Sequence, residues 1–214
     1  GALVANGAES LKILFTSGRT TQARGDWKSV YFEPGGGASV MNHCIVEYGG
    51  GDTAWGWANI AISGISTVTI NNTISRQSYD AGLHIFDKAN PTVSNSEFSY
   101  NRYDGINIQT NSYPVFRNNA SHHNDGWNGI TVDGGDITTS GAWYADNIPY
   151  VINDSGASSG NRTVAAGVTL TIEPGTVVKF KDNGTVSINV EGALHAGGTQ
   201  EKPIVFTSLA DDEY

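Results

Sequence analysis

The chain repeats itself on two length scales. Residues Gly1 to Ser17 read GALVANGAESLKILFTS, and Gly192 to Ser208 read GALHAGGTQEKPIVFTS, so the opening segment recurs 191 residues later. A finer period lies inside that unit. The motifs Gly82-Leu83-His84-Ile85, Gly105-Ile106-Asn107-Ile108 and Gly129-Ile130-Thr131-Val132 recur at spacings of 23 and 24 residues. A register of that length with alternating apolar residues is the pattern of a coiled solenoid, in which each turn of chain covers the next. A globular core of any other kind would not need every 23rd residue to be equivalent. Function on such a rod is expected on its outer surface.

The inward positions follow from the period of two within each strand. The first falls at Val30, Ile60, Leu83, Ile106 and Ile130, and the second at Phe32, Ile62, Ile85, Ile108 and Val132. Between and after them lie two outward columns. Ala61, His84, Asn107 and Thr131 form one, and Ser63, Phe86, Gln109 and Asp133 the other, read together as an exposed flat sheet. A further column, Asn42, Asn72, Asn95 and Asn118, recurs after a second strand in each turn. Asparagines stacked one strand spacing apart bond amide to amide along the axis. Roughly 23 residues per turn predicts about nine rungs and a rod on the order of 40 Å long.

Composition agrees. With 27 Gly, 6 Pro and 15% charged residues, the chain suits an all-β fold with many short turns. A net charge of −9 opposes binding to nucleic acid or an anionic membrane, both of which require a basic surface. No apolar run approaches the roughly 20 residues that cross a bilayer, so membrane insertion is not expected. The acidic surface fits an extracellular setting. Cys44 is the sole cysteine and sits in the apolar run Val40–Val46, which reads as core packing.

The short register weakens from Gly134. The reading is a single β-helix over 1–214, with regular rungs over 1–133, an irregular seam over 134–160 and further coils over 161–214 that restart the 1–17 repeat. In that last part, Val168–Ile172, Val177–Phe180, Val186–Val190 and Ile204–Phe206 are short alternating strands between turns such as Glu173-Pro174-Gly175.

The run Thr169 to Phe180, with its Glu-Pro-Gly turn, then Gly192-Ala193-Leu194, Pro203 to Ser208 and the acidic Asp211-Asp212, resembles right-handed parallel β-helix modules of large secreted and surface proteins of bacteria and archaea. Gly25-Asp26-Trp27, following Phe15-Thr16-Ser17, is similar to the strand that succeeds the Phe-Thr-Ser strand in that family. The resemblance implies an all-β right-handed parallel solenoid and allows several roles: adhesin, surface-layer or filament protein, or polysaccharide-active enzyme.

Two readings of function follow. The first is a non-catalytic extracellular module of a cell-surface, adhesin or filament-forming protein, structural and with a glycan-binding face. Its partners are copies of itself or neighbouring β-helix repeats stacked end to end, and polysaccharide. Trp27, Trp57, Tyr103 and Trp127 stand three positions before the inward reference residue, and with Phe86, Asn107 and Gln109 they form the candidate ligand surface. The alternative is a lyase or glycoside hydrolase using the same face, with His84 and Asp133 as catalytic groups. Against it, no pair of carboxylates is evident on neighbouring rungs, and the Gly-His-Gly and Arg-Ile-Lys signatures of polygalacturonases are absent. Asp211 and Asp212 are the candidate ligands of a calcium ion. The adjacent His122 and His123 are expected to point to opposite sides of a strand, which argues against their sharing a metal.

Overall fold

The computed structural model describes residues 1–51, 58–64, 67–154, 160–181 and 185–214. All strand pairs between neighbouring coils are parallel. Each coil contributes three strands, one to each face of the rod. The third face is a continuous eight-stranded sheet. Its strands are Val30–Phe32, Ala58–Ser63, Ala81–Phe86, Ile106–Ile108, Ile130–Val132, Tyr150–Ile152, Val177–Phe180 and Val205–Ser208. Eight coils therefore stand where the repeat length predicted about nine, because the first and the last two intervals on this face, Val30 to Ile60, Tyr150 to Val178 and Val178 to Phe206, are longer than 23 residues.

The register on this face is the one the alternation dictates. Val30, Ile60, Leu83, Ile106 and Ile130 pair in sequence, and so do Phe32, Ile62, Ile85, Ile108 and Val132. The series continues through Tyr150 to Val178 and Phe206. Ile60, Leu83, Ile106, Ile130 and Val178 are fully buried, and one cluster of buried residues runs along the interior of the rod. Each buried aliphatic side chain contributes about 1.5–3 kcal/mol, but only when a neighbouring coil covers it.

The glycine before the inward residue on three successive coils, Gly82, Gly105 and Gly129, has a steric cause. A Cβ on Gly82 would lie 2.7 Å from the Asn101 amide nitrogen and 2.8 Å from the Gly105 carbonyl oxygen. One on Gly129 would lie 2.9 Å from the Pro149 carbonyl oxygen. On these coils the next turn passes too close for a side chain, whereas the equivalent Asn59 one coil earlier has room and donates its amide to the Val46 and Arg76 carbonyls.

The first two faces are interrupted between Ala120–His122 and Gly135–Ile137. Face one is a five-stranded sheet ending at Val115–Arg117, and face two a five-stranded sheet ending at Ala120–His122. Three-stranded sheets replace them from Gly135–Ile137 and Gly141–Trp143 onward. The stretch read as irregular nonetheless supplies a whole coil, closed by Tyr150–Ile152. Trp143 and Tyr150 stack inside it at 5.1 Å, and their large rings fill the core where the aliphatic register lapses.

Asparagines hold the corners. Asn42 donates to Asn6 at 2.8 Å, Asn72 to Asn42 at 3.1 Å, Asn95 to Asn71 at 2.9 Å and Asn118 to Asn95 at 3.1 Å. The strand register places Asn42 opposite Asn71, so the expected column shifts by one residue there: His43, Asn72, Asn95 and Asn118 share the left-handed backbone conformation. A second, buried ladder was not anticipated. The backbone N–H of Ser78 donates to the Asn101 side chain, that of Asn101 to Asn124, and that of Asn124 to Asn128.

The long repeat does not return to its starting face. Val4–Asn6 and Ile13–Phe15 are the first and second strands of their coil, whereas the matching Ala193–Ala196 and Val205–Ser208 are the second and third strands of theirs.

Candidate functional site

The outer side of the eight-stranded sheet is not the exposed flat surface expected from alternation. Ala61 and Thr131 are fully buried and His84 is 7% exposed. Phe86 covers His84, its ring stacked at 4.8 Å, and Tyr31 lies parallel to Phe86 at 6.1 Å. Side chains of one outward column lie across the other, because the strands sit only about 4.8 Å apart.

Beside His84 is a cavity of about 70 Å³ lined by Asp80, Ala81, His84, Asp104, Asn107 and Asp133. His84 and Asp133, the pair expected to act together, both line it, and so does Asn107. Asp80 and Asp104 are additions the sequence reading missed. Asp80 stands three positions before Leu83 and Asp104 two before Ile106, at the corner that leads into the sheet. From there both carboxylates reach over the sheet from consecutive coils. The absence of neighbouring carboxylates inferred from the outward columns is thus corrected: the columns were right, but the corner residues complete the cluster.

Each acid is held by a small set of donors. Asp80 accepts from the Ala81 N–H at 2.8 Å, Asp104 from the Trp127 N–H at 3.0 Å, and Asp133 from the Asn107 amide at 3.2 Å. These do not offset burial. Desolvation pushes Asp80 up to about 6, with the Asp104 charge adding to it and Arg102 opposing. Burial also raises Asp104, against the Trp127 N–H, Thr131 and Asn107. Asp133 is raised by burial and by Asp104, against Asn107 and Arg162. The same burial lowers His84 to about 4, so its imidazole is neutral at physiological pH. The cavity therefore holds three carboxyls whose ionisation burial opposes, beside a neutral histidine. Its volume admits one or two waters or a single functional group.

The cation whose charge opposes the rise at Asp133 lies inside the rod. Arg162 is fully buried, bonded to the carbonyls of Val132, Asn153 and Gly160, and burial lowers it to about 10.

The other expected ligand residues are dispersed. Trp27 is partly buried, packs against the core and donates its indole N–H to the Glu47 carbonyl at 2.9 Å, a structural role. Trp57 lies outside the described residues. Tyr103 is exposed with the Arg102 guanidinium 5.4 Å from its ring, and Trp127 is half-buried beside Asp104. Among the described residues no ring contact joins Trp27, Tyr103 and Trp127, so they form no continuous stack. Gln109 accepts from the Asp87 N–H at 3.0 Å. The aromatic track on this face is instead Tyr31, Phe86 and His84, leading from a hollow of about 560 Å³ at Lys28, Tyr31 and Glu33 to the acidic cavity.

Asp211 accepts from the Thr207 hydroxyl at 2.5 Å and from the Glu213 N–H at 3.0 Å, and these bonds lower it. Among the described residues no group of three or more His, Cys, Asp or Glu is placed to hold a metal ion, at Asp211 and Asp212 or elsewhere.

A family model described as a right handed beta helix region matches residues 25–165. No curated protein and no solved structure matches the chain.

Proposed function

The chain belongs to the right-handed β-helix family, and from that premise we propose that it is a rigid extracellular or cell-surface module that holds a glycan along its eight-stranded face and hydrolyses it at the acidic cavity. The observation that carries this reading is the meeting of Asp80, Asp104 and Asp133, from three consecutive coils, in one cavity beside His84. Three desolvated carboxyls that repel one another destabilise a rod, and such breaches of packing rules concentrate at functional sites. Glycoside hydrolysis requires one carboxyl that carries a proton near neutral pH and one that is ionised. Asp80, raised to about 6, fits the acid. Asp133, bonded to Asn107, fits the base. The Tyr31–Phe86 ring pair offers a platform for sugar faces leading to these groups. A cavity walled by carboxylates repels a polyuronate, so the substrate class is a neutral or amino-bearing glycan.

The test is reducing-sugar release from a panel of neutral, amino and acidic glycans, compared across wild type, Asp80→Asn and Asp133→Asn. The expected result is cleavage of a neutral or amino glycan that falls at least about 100-fold in either variant with circular dichroism unchanged. Activity should decline as pH rises above about 6, where Asp80 loses its proton. Cleavage that survives both substitutions overturns the assignment.

A second reading, the scaffold or filament module, has its own support. Val190 and Phe206 occupy inward positions of the last coil, paired with the buried Val164 and Val178, yet are 48% and 45% exposed. Another coil laid on that edge would cover them.

A further inference from the structure

His122 and His123 do not diverge as neighbours on a strand do. The strand ends at His122, and His123 adopts φ 55°, in the left-handed region. This turn folds the second ring back onto the side of the first. The two Nδ1 atoms lie 2.8 Å apart, with the ring planes at 88°. At that distance only one of them carries a hydrogen; the other presents a lone pair to it.

Both rings are oriented by the preceding coil. His123 stacks on Tyr100 at 5.0 Å and 3°, because both residues occupy the same left-handed corner of successive coils. His122 presents its Nε2 to the Glu97 carboxylate at 3.6 Å, and Glu97 is itself fixed by the Ser99 hydroxyl at 2.7 Å. A carboxylate on that side favours the Nε2–H tautomer of His122 and leaves its Nδ1 free as an acceptor, the arrangement in which a metal-ligating histidine is held by an outer carboxylate. The hydrogen between the rings then belongs to His123.

We propose that His122 and His123 form a bidentate site for a divalent transition-metal ion of tetragonal preference, copper(II) or nickel(II), bound by the two Nδ1 atoms in adjacent positions and completed by water. Two nitrogens bonded at about 2.0 Å and 90° to one another sit about 2.8 Å apart, whereas tetrahedral ligands sit about 3.3 Å apart, so the observed spacing fits the tetragonal case. A modest turn of the two χ2 angles, which are soft torsions, changes the head-on contact into a convergent one. On binding, His123 shifts its hydrogen from Nδ1 to Nε2, both Nδ1 lone pairs become dative bonds, and no net proton is lost. The site is open to solvent, with the His122 side chain 43% exposed. Hard cations such as calcium and magnesium do not compete for two imidazoles.

The experiment is titration of the full, untagged chain with copper(II), followed by calorimetry and electron paramagnetic resonance. The expected result is one tightly bound copper per chain with coupling to two imidazole nitrogens. His122→Ala and His123→Ala should each weaken binding by at least about tenfold, and Glu97→Gln, which keeps the shape but removes the outer charge, by about tenfold. Binding of unchanged affinity and spectrum in the double His122→Ala/His123→Ala variant overturns the assignment, as does a wild-type spectrum without two-nitrogen coupling. Because the residues are exposed, the variants keep the fold, which circular dichroism checks.

Discussion

Asp80 and His84 pull the acid response of the fold in opposite directions. Asp80 binds its proton more tightly folded, at about 6 against 3.8, so its stabilising contribution is full below 3.8 and lost as pH rises through 6. His84 is lowered from 6.5 to about 4, so its contribution is present above 6.5 and lost as pH falls through 4. Between pH 4 and 6 the two nearly offset one another. Asp80→Asn leaves the histidine unopposed, and the melting temperature of that variant minus that of wild type should grow from pH 4 to 6.5. At pH 7 the variant should be more stable, by on the order of 1 kcal/mol after allowance for the partial exposure of Asp80. Differential scanning fluorimetry across that range checks both; a variant less stable at pH 7 would show Asp80 to be a structural ion-pair member instead.

At the scale of the strand and the corner, the two asparagine ladders differ in what their loss exposes. Asn124 accepts from both the backbone and the side chain of the fully buried Asn101, at 3.0 and 2.9 Å. Asn124→Ala strands those donors without water and should cost about 2–4 kcal/mol in urea denaturation. Asn95→Ala, in the solvated ladder, should cost less than about 1 kcal/mol. Equal losses would mean that the inner bonds are not selectively important. These ladders also show what could be read in advance. The face-three register was legible because Ile60, Leu83, Ile106 and Ile130 must each be covered by the next coil, which leaves one solution to the alternation. The outer asparagines were legible from their spacing, and so, in principle, was Asn101 to Asn124, which recurs at the same 23 residues. The acidic cavity was only half legible. His84 lies on a strand and Asp133 directly follows one, where period two says which way they point, but Asp80 and Asp104 lie at corners, where no period applies. Likewise the convergence of His122 and His123 depends on one left-handed residue that no alternation reveals.

At the scale of the whole rod, strand pairing runs only between neighbouring coils, and among the described side chains that reach further, Tyr31 on Phe86 and Arg117 to Glu173 each skip one coil while Arg24 reaches further still. Arg24, from the loop after the first coil's second strand, reaches Gln77, the Tyr100 carbonyl and Asp125, which belong to later coils. The last coil has no such cover. If the scaffold reading holds, sedimentation velocity should show the mass of the chain rising with concentration, and Val190→Lys with Phe206→Lys should abolish the rise. A wild type monomeric throughout would remove that reading without touching the acidic cavity. The slip of the long repeat by one face has a separate geometric meaning. Ala193–Ala196 comes twenty-two strands after its counterpart Val4–Asn6, which is seven complete windings and one strand more. Were such units joined in tandem, each would be turned by about a third of a revolution relative to the last. Their acidic cavities would trace a screw around the shaft, three units to the revolution, and address the surroundings from every azimuth instead of lining up along one side.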